Sequence, residues 1–185
     1  WAAFAAAGFL RRPSTEKELE DGEGEDGRFA FGMAAMQGWR EGMEDAALAL
    51  PDFDVEGGVS LFAVFDGHGG AAVAQVAAER LPDVLRSLPA YTSGNYAAAL
   101  SQAFLQLDEF IGGPAGRREV QRRAPGELPS GMGCTAVVAL VRAGAEPELF
   151  VANAGDSRCV VAAGKKAVAM SEDHKPTSPI ERRRI

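Results

Sequence analysis

The sequence predicts an α+β fold in which antiparallel strands pack against helices. Apolar patterns occur as strands, then two helices, then strands again, and the links between the last strands are short enough for hairpins. A parallel sheet would instead show strands and helices in regular alternation, so we disfavour that class. The 185 residues, 46% of them hydrophobic, suffice for one domain with a core.

Residues 1–27 are predicted to be an apolar and acidic linker that leads into a domain spanning residues 28–185. The opening WAAFAAAGFL is about half the ~20 apolar residues that cross a bilayer, so we expect no transmembrane segment. Residues 14–27 carry seven acidic side chains and one lysine, which is typical of a solvated linker. The remaining body is almost neutral and has no basic face, which argues against nucleic-acid binding.

The chain has two cysteines, Cys134 and Cys159, and neither belongs to a CxxC pair. This pattern predicts neither a disulfide framework nor a zinc site. We therefore expect a reducing compartment, the cytosol or the nucleus.

The strands of the first half are predicted from apolar runs. Residues 28–35 alternate bulky and small side chains as a strand with one buried face does, and residues 46–50 form a second apolar run. The charged segment between them contains two glycines and is predicted to be irregular. Residues 61–65 are apolar without interruption, which favours a strand buried on both faces.

Two helices are predicted to follow. Residues 71–80 carry Val73, Val76 and Ala77 on one helical face, and Pro82 should kink this helix or begin a second short one. Residues 95–111 show a longer apolar stripe of the same period.

The second half is predicted to contain a long surface loop and a β-meander. Residues 112–133 interrupt the periodicity and include four arginines, which could meet an acidic or phosphorylated partner or could simply be solvated. The acidic lead-in is an alternative docking segment. Three β-rich runs then follow, at residues 135–142, 148–154 and 157–163.

Asp66 is the first candidate for chemistry. It ends the 61–65 strand and precedes a glycine-rich turn that leads into a helix, so a hard cation or a phosphate could bind there. Glu44 and Asp45 form a second acidic pair that could converge on the same ion. Either group alone is also compatible with an ordinary solvated turn.

Three other positions could take part. His68 could donate a proton to a leaving group, or could hydrogen-bond locally within its turn. Arg40 offers a planar fork of donors suited to a phosphoryl group. Asp156 lies in a tight turn that could bind metal or could be a plain hairpin, whereas His174 is expected to tie down a loop.

Read together, five segments closely resemble, in order, the motifs of the metal-dependent Ser/Thr protein phosphatases, the PPM or type 2C family. They are residues 36–40 (MQGWR) with 43–45 (MED), 62–70 (FAVFDGHGG), 133–136 (GCTA), 151–158 (VANAGDSR) and 173–176 (DHKP). The resemblance covers residues 28–185. It implies two packed antiparallel sheets with helices outside, in αββα layers, and a site for two Mg²⁺ or Mn²⁺ ions.

The resemblance also implies roles for the candidates. Asp66 would bridge the two ions, the Gly67 carbonyl and Glu44 would serve one of them, and Asp45 would act through water. Arg40 would hold the substrate phosphate and His68 would be the general acid. Asp156 would belong to a weaker third metal position, and Cys134 would be a small buried residue without a catalytic part.

The family pattern continues beyond the ERRRI segment at residues 181–185 and supplies two further metal-binding aspartates there. The resemblance therefore implies that this chain is the N-terminal portion of a catalytic domain, with an incomplete fold and little turnover alone. Two hypotheses follow. The parent protein is a phosphatase acting on phosphoserine and phosphothreonine in phosphoproteins, or it is an inactive phosphatase-like scaffold that serves as an interaction module.

Overall fold

The computed structural model describes residues 8–185. Its strands, in chain order, are β1 (Phe9–Ser14), β2 (Glu18–Glu23), β3 (Ala30–Ala35), β4 (Gly38–Arg40), β5 (Ala46–Asp54), β6 (Val59–Phe65), β7 (Gly67–His68), β8 (Gly133–Cys134), β9 (Ala136–Arg142), β10 (Glu148–Ala154), β11 (Val160–Ala163) and β12 (Lys166–Ala169). Its helices are α1 (Ala72–Ser87), α2 (Pro89–Thr92), α3 (Tyr96–Gly112), α4 (Pro114–Arg123) and α5 (Pro179–Arg184), with a 3-10 turn at Pro129–Gly131.

A four-stranded antiparallel sheet in the order β10-β9-β6-β5 forms the centre of the fold. Its register places Leu61 of β6 between Leu50 of β5 and Leu140 of β9. Every strand pair within residues 8–185 is antiparallel. The predicted α+β class with antiparallel sheets is therefore confirmed.

Helices α1 and α3 cover one face of this sheet and close the main core. Leu81 of α1 and Leu100 of α3 pack in one cluster with Leu61 and Leu140. Removing such side chains from water is the main favourable term of folding. On the other face, Phe31 of β3 lies against Phe62, with the ring centroids 6.2 Å apart. One helix-covered sheet of the expected αββα layers is thus formed, and the β2–β3 hairpin contacts its opposite face.

The prediction that residues 61–65 are buried on both faces is wrong for this chain. Leu61, Ala63 and Phe65 are at most 5% exposed, whereas Phe62 is half-buried and Val64 is 44% exposed. Alternate side chains point to opposite faces of a strand, and the helices cover only one of them. An apolar run by itself does not distinguish a strand that is buried on both faces from one that is buried on one face.

The predicted helices are confirmed, with one correction at Pro82. Helix α1 continues through Pro82, and the next short helix begins at Pro89 instead. Helix α3 begins where Asn95 accepts a hydrogen bond from the Ala98 N–H (3.3 Å), as an N-cap does. No helix within residues 8–185 has the length and apolar character needed to span a bilayer.

The prediction of a surface loop at residues 112–133 is also wrong, because helix α4 lies within it. Glu119 is 8% exposed and is held by the guanidinium groups of Arg80 of α1 and Arg123 of its own helix. Arg123 also pairs with Glu79. Helix α4 has no apolar stripe from which it could be predicted. It is stabilised by these ion pairs and by the buried Val120.

The lead-in is more ordered than a linker. Residues 18–23 are mostly exposed, as predicted, but they pair with β3 residue by residue. Strand β1 pairs with β4, which aligns Phe9 with Arg40. The first seven residues of the apolar opening lie outside the described residues, and the domain boundary at residue 28 stays a prediction.

The predicted three-stranded meander is correct for its first hairpin only. Strands β9 and β10 pair along their whole length, but β11 pairs with β12 in a separate two-stranded sheet. Residues 157–159 leave the central sheet because the turn after β10 is held by other contacts, described below.

Candidate functional site

Asp66 lies at the end of β6, where the central sheet gives way to the short β7–β8 ladder. Its backbone is fixed by Thr135 on the neighbouring chain segment. The Thr135 N–H donates to the Asp66 carbonyl oxygen (2.8 Å), and the Asp66 N–H donates to Thr135 Oγ1 (3.3 Å). The Asp66 side chain is exposed, as a residue that binds a ligand at the sheet edge requires.

Asp45 and Asp66 are close enough for the charge of one carboxyl group to affect the other. Although Asp45 lies at the surface, loss of water around its carboxyl raises its pKa, and the charge of Asp66 adds to this rise. Glu44 raises the pKa further and Arg40 opposes the change. The site therefore holds more negative charge than its neighbouring side chains neutralise.

Gly67 packs directly on the backbone of Glu44. A Cβ atom at position 67 would lie 2.2 Å from the Glu44 carbonyl oxygen, so a larger residue could not occupy this position without moving the backbone. This close approach brings the 43–45 and 66–68 segments together, and the role of Glu44, Asp45 and Asp66 in binding an ion stays a prediction.

Arg40 lies on β4, next to this acidic group. Its guanidinium carbon is 5.9 Å from the ring centroid of Phe9, and its carbonyl accepts a hydrogen bond from the Gln37 side chain (2.8 Å). The Arg40 side chain is exposed and close enough to lower the pKa of Asp45. A cation beside an acidic group is an arrangement that can hold a phosphoryl group against a bound metal.

His68 lies on β7 directly opposite Gly133 of β8. Its ring lies beside Gly133, since a Cβ atom at Gly133 would be 2.6 Å from His68 Nε2. The residue is exposed, so the imidazole is accessible to a ligand at the sheet edge.

Asp156 lies in the turn after β10, and its side chain makes a different contact from those of the other acidic candidates. Its Oδ2 is 3.6 Å from Lys175 Nζ, which is equally far from Asp173 Oδ2. Asp173 also receives two hydrogen bonds from Arg158, at 2.9 and 2.8 Å. The acid predicted for a third metal position is thus paired with a lysine.

His174 holds the turn that carries Asp156, which confirms its predicted structural part. The His174 N–H donates to the Gly155 carbonyl oxygen (2.9 Å), and the Gly155 N–H donates to His174 Nδ1 (3.3 Å). Gly155 has φ +107°, a conformation that favours glycine. Asn153 adds a hydrogen bond to the same carbonyl (3.0 Å).

Cys134 is half-buried beneath the site and has no nucleophilic character. Burial raises the pKa of its thiol to about 11, and the charge of Asp66 adds to the rise. Because the thiolate is the reactive form, this cysteine is inert at neutral pH.

The donor set fits a hard divalent cation in part. The carboxylates of Asp45 and Asp66, which interact electrostatically, the neighbouring Glu44 and the Gly67 carbonyl are oxygen ligands of the kind that Mg²⁺ and Mn²⁺ prefer. However, no three Asp, Glu, His or Cys side chains within residues 8–185 form a group that could hold a metal ion. The described residues supply one side of such a site.

Sequence reasoning missed the roles of Thr135 and Ser157. Their hydroxyl oxygens lie 2.6 Å apart, and Thr135 also contacts the Asp66 backbone, so the two residues join the segments that carry Asp66 and Asp156. Both occur inside the motifs that carry the resemblance. Ser157 directly follows Asp156, which was an available signal, whereas Thr135 has no acidic neighbour in the sequence and meets Asp66 only in the folded chain.

Comparison with known proteins gives consistent matches. Residues 29–185 match the family described as Protein phosphatase 2C. The chain is 36% identical over 213 residues to Probable protein phosphatase 2C 21 of Arabidopsis thaliana, and 40% identical over 178 residues to Protein phosphatase 2C 1 of Paramecium tetraurelia. These alignments cover 96% of this chain but only 58% and 57% of the relatives, respectively.

Solved structures agree on the fold. The chain resembles a C. elegans sex determining protein with a TM-score of 0.60 and 23% identity, covering 92% of this chain and 37% of that one. It resembles the serine-threonine phosphatase 2C of Toxoplasma gondii with a TM-score of 0.56 and 17% identity, covering 95% and 57%. This chain therefore spans little more than half of the Toxoplasma structure.

Proposed function

The chain belongs to the protein phosphatase 2C family, and we propose that the complete protein hydrolyses phosphoserine and phosphothreonine in proteins with the help of Mg²⁺ or Mn²⁺. The observation that supports this proposal most strongly is the packing of Gly67 on the Glu44 backbone, which places Asp66 near enough to Asp45 for its charge to raise the pKa of that carboxyl. Two like charges brought together at a sheet edge cost stability, and a bound cation would remove that cost.

The residues of this chain divide the work as follows. Asp66, Glu44 and the Gly67 carbonyl would hold the metal ions, and Asp45 would act on them through water. When bound, such ions would supply the attacking water and offset charge that develops on the phosphoryl group. Asp156, which now pairs with Lys175, would belong to a third and weaker position.

Arg40 and His68 act on the substrate. Arg40 donates hydrogen bonds to the phosphate oxygens and so holds the phosphoryl group in place. As the bond between phosphorus and the serine or threonine oxygen breaks, protonated His68 transfers its proton to that oxygen. The neutral imidazole then regains a proton from solvent.

Phosphate release from a phosphoserine or phosphothreonine peptide by the complete protein tests the proposal. We expect turnover with Mn²⁺ or Mg²⁺, none with a chelator, and a loss of about 10²-fold or more in Asp66→Asn. Asp108→Asn, on the exposed side of α3, is the matched control. A folded complete protein that released no phosphate with either metal would instead support the inactive scaffold.

Two further proposals concern the cell. Phosphoproteins are the substrates, and a protein partner docks on the exposed arginines of α4 or on the acidic hairpin of β2.

The protein is located in the cytosol or the nucleus, because its two cysteines are free thiols, as is usual in a reducing compartment. Imaging of the tagged complete protein in its own cells tests this location, and a signal confined to an oxidising compartment would contradict it.

A further inference from the structure

His68 and Gly133 are directly paired across the β7–β8 ladder. Side chains of directly opposed residues lie on the same face of an antiparallel pair, with Cβ atoms about 4.5–5.5 Å apart. Any side chain at position 133 would therefore compete with the imidazole for the same space. A Cβ there would lie 2.6 Å from His68 Nε2 and 2.8 Å from Cε1, which is closer than Cβ atoms approach non-bonded atoms in proteins.

The backbone of Gly133 does not itself require glycine. Ten glycines among the described residues have positive φ, and Gly133 is not one of them. Alanine could adopt its backbone conformation, and the atoms that a methyl group would meet first belong to the His68 ring. Because that ring is the end of a side chain, the fold can accept the methyl group by moving the ring.

We propose that Gly133 is a positioning residue that sets the orientation of the His68 imidazole. This inference rests on the proposed role of His68 as the proton donor to the leaving oxygen. A proton donor must lie within hydrogen-bond reach of that oxygen. The absence of a side chain at Gly133 lets the His68 ring occupy its present position, and a methyl group there would displace the ring. Gly133 has no side chain with which to act on the substrate, and it acts through His68.

Leaving-group chemistry separates this role from general damage to the site. A serine or threonine oxygen must be protonated as it departs, whereas p-nitrophenolate leaves readily as an anion. Gly133→Ala in the complete protein should therefore lower kcat on a phosphoserine peptide by about tenfold to a hundredfold. It should leave kcat on p-nitrophenyl phosphate, and KM on both substrates, almost unchanged.

Two comparisons make the kinetic test specific. Gly131→Ala lies two residues away, also has negative or extended φ, and its added methyl meets no atom within 4 Å, so it should behave as wild type. Adding Gly133→Ala to His68→Ala should cost nothing more, because the positioned group is already gone. Equal losses on the two phosphate esters, or an additive loss in the double variant, would overturn the proposal.

NMR gives a second readout that does not depend on turnover. Selective labelling of histidine Cε1 in the complete protein gives separate histidine signals, and the signal missing from His68→Ala or from His174→Ala assigns each of these two residues. Gly133→Ala should move the His68 signal and leave that of His174 in place. An unmoved His68 signal would overturn the inference. If His68→Ala leaves phosphopeptide turnover intact, the general-acid role fails, and the NMR shift alone decides whether Gly133 seats the ring.

Discussion

The hydroxyl oxygen of Thr135 lies 2.6 Å from that of Ser157 and accepts a hydrogen bond from the Asp66 N–H. One side chain thus connects the end of β6, the start of β9 and the turn after β10. The segments that carry two candidate metal ligands, Asp66 and Asp156, are positioned relative to each other through this contact.

Thr135→Val keeps the side-chain shape and removes the hydroxyl group, so it tests this connection. We expect Mn²⁺ affinity in the complete protein to fall about tenfold, the effect typical of losing a hydrogen bond that orients a metal ligand. Calorimetric titration with Mn²⁺ measures the change. Thr135→Ser, which retains the hydroxyl, should restore most of the affinity, and equal affinities for the valine and wild-type proteins would contradict the prediction.

Asp66→Asn should raise the thermal midpoint of the metal-free protein. The substitution removes the charge that acts on Asp45, and neighbouring like charges oppose folding at neutral pH. With Mn²⁺ added the order should reverse, because metal binding stabilises the wild type and not the variant. Scanning fluorimetry with chelator and with Mn²⁺ checks both halves, using Asp108→Asn as the control. A lower midpoint for Asp66→Asn in chelator would refute it.

Glu119→Gln should destabilise the chain by about 1.5 kcal/mol at neutral pH. This is the low end for hydrogen bonds to charged groups, since the Arg80 side chain is 43% exposed and solvent screens the pair. Hydrogen bonds from Arg80 hold the pKa of Glu119 below its usual value, with Arg123 acting in the same direction. The contribution of the Glu119 charge to the free energy of unfolding is therefore complete above the ordinary pKa of glutamate. It is lost as the pH falls through the lower pKa that Glu119 has in the folded chain.

Urea unfolding of wild type and Glu119→Gln at neutral and acidic pH measures this difference. The difference in free energy of unfolding between wild type and Glu119→Gln should be smaller at acidic pH than at neutral pH. Glu79→Gln removes the 61% exposed partner of Arg123 and should cost less than about 0.5 kcal/mol. A gap that stayed constant with pH would show that Glu119 acts through packing and not through its charge.

The two faces of β6 should respond differently to truncation. Leu61→Ala removes a fully buried side chain from the core and should cost about 2–5 kcal/mol in this chain. Val64→Ala, on the 44% exposed position, should cost no more than about 0.5 kcal/mol. Denaturant midpoints at constant m-value give both numbers. Similar losses at the two positions would mean that a further layer covers Val64.

Prediction from sequence succeeded where the pattern was local and failed where stability came from distant partners. The bounds predicted for α3, β9 and β10 from their apolar patterns agree closely with the observed bounds. Helix α4 was missed because its sequence is polar, and its buried Glu119 finds Arg80 only once α1 is packed beside it. Strand β12 was missed because its partner β11 turns away from the central sheet.

The sequence by itself determined the class of the fold, the order of the acidic, glycine and histidine motifs, and through them the family. These features follow from side-chain periodicity and residue type, which are properties of short stretches of chain. Only the tertiary structure decided that Asp45 and Asp66 come close enough to interact electrostatically and that the His68 ring lies beside Gly133. Such contacts depend on the register of strands far apart in the chain: Asp66 and its partner Thr135 are 69 residues apart, and shifting that register by one residue would turn these side chains to the opposite face.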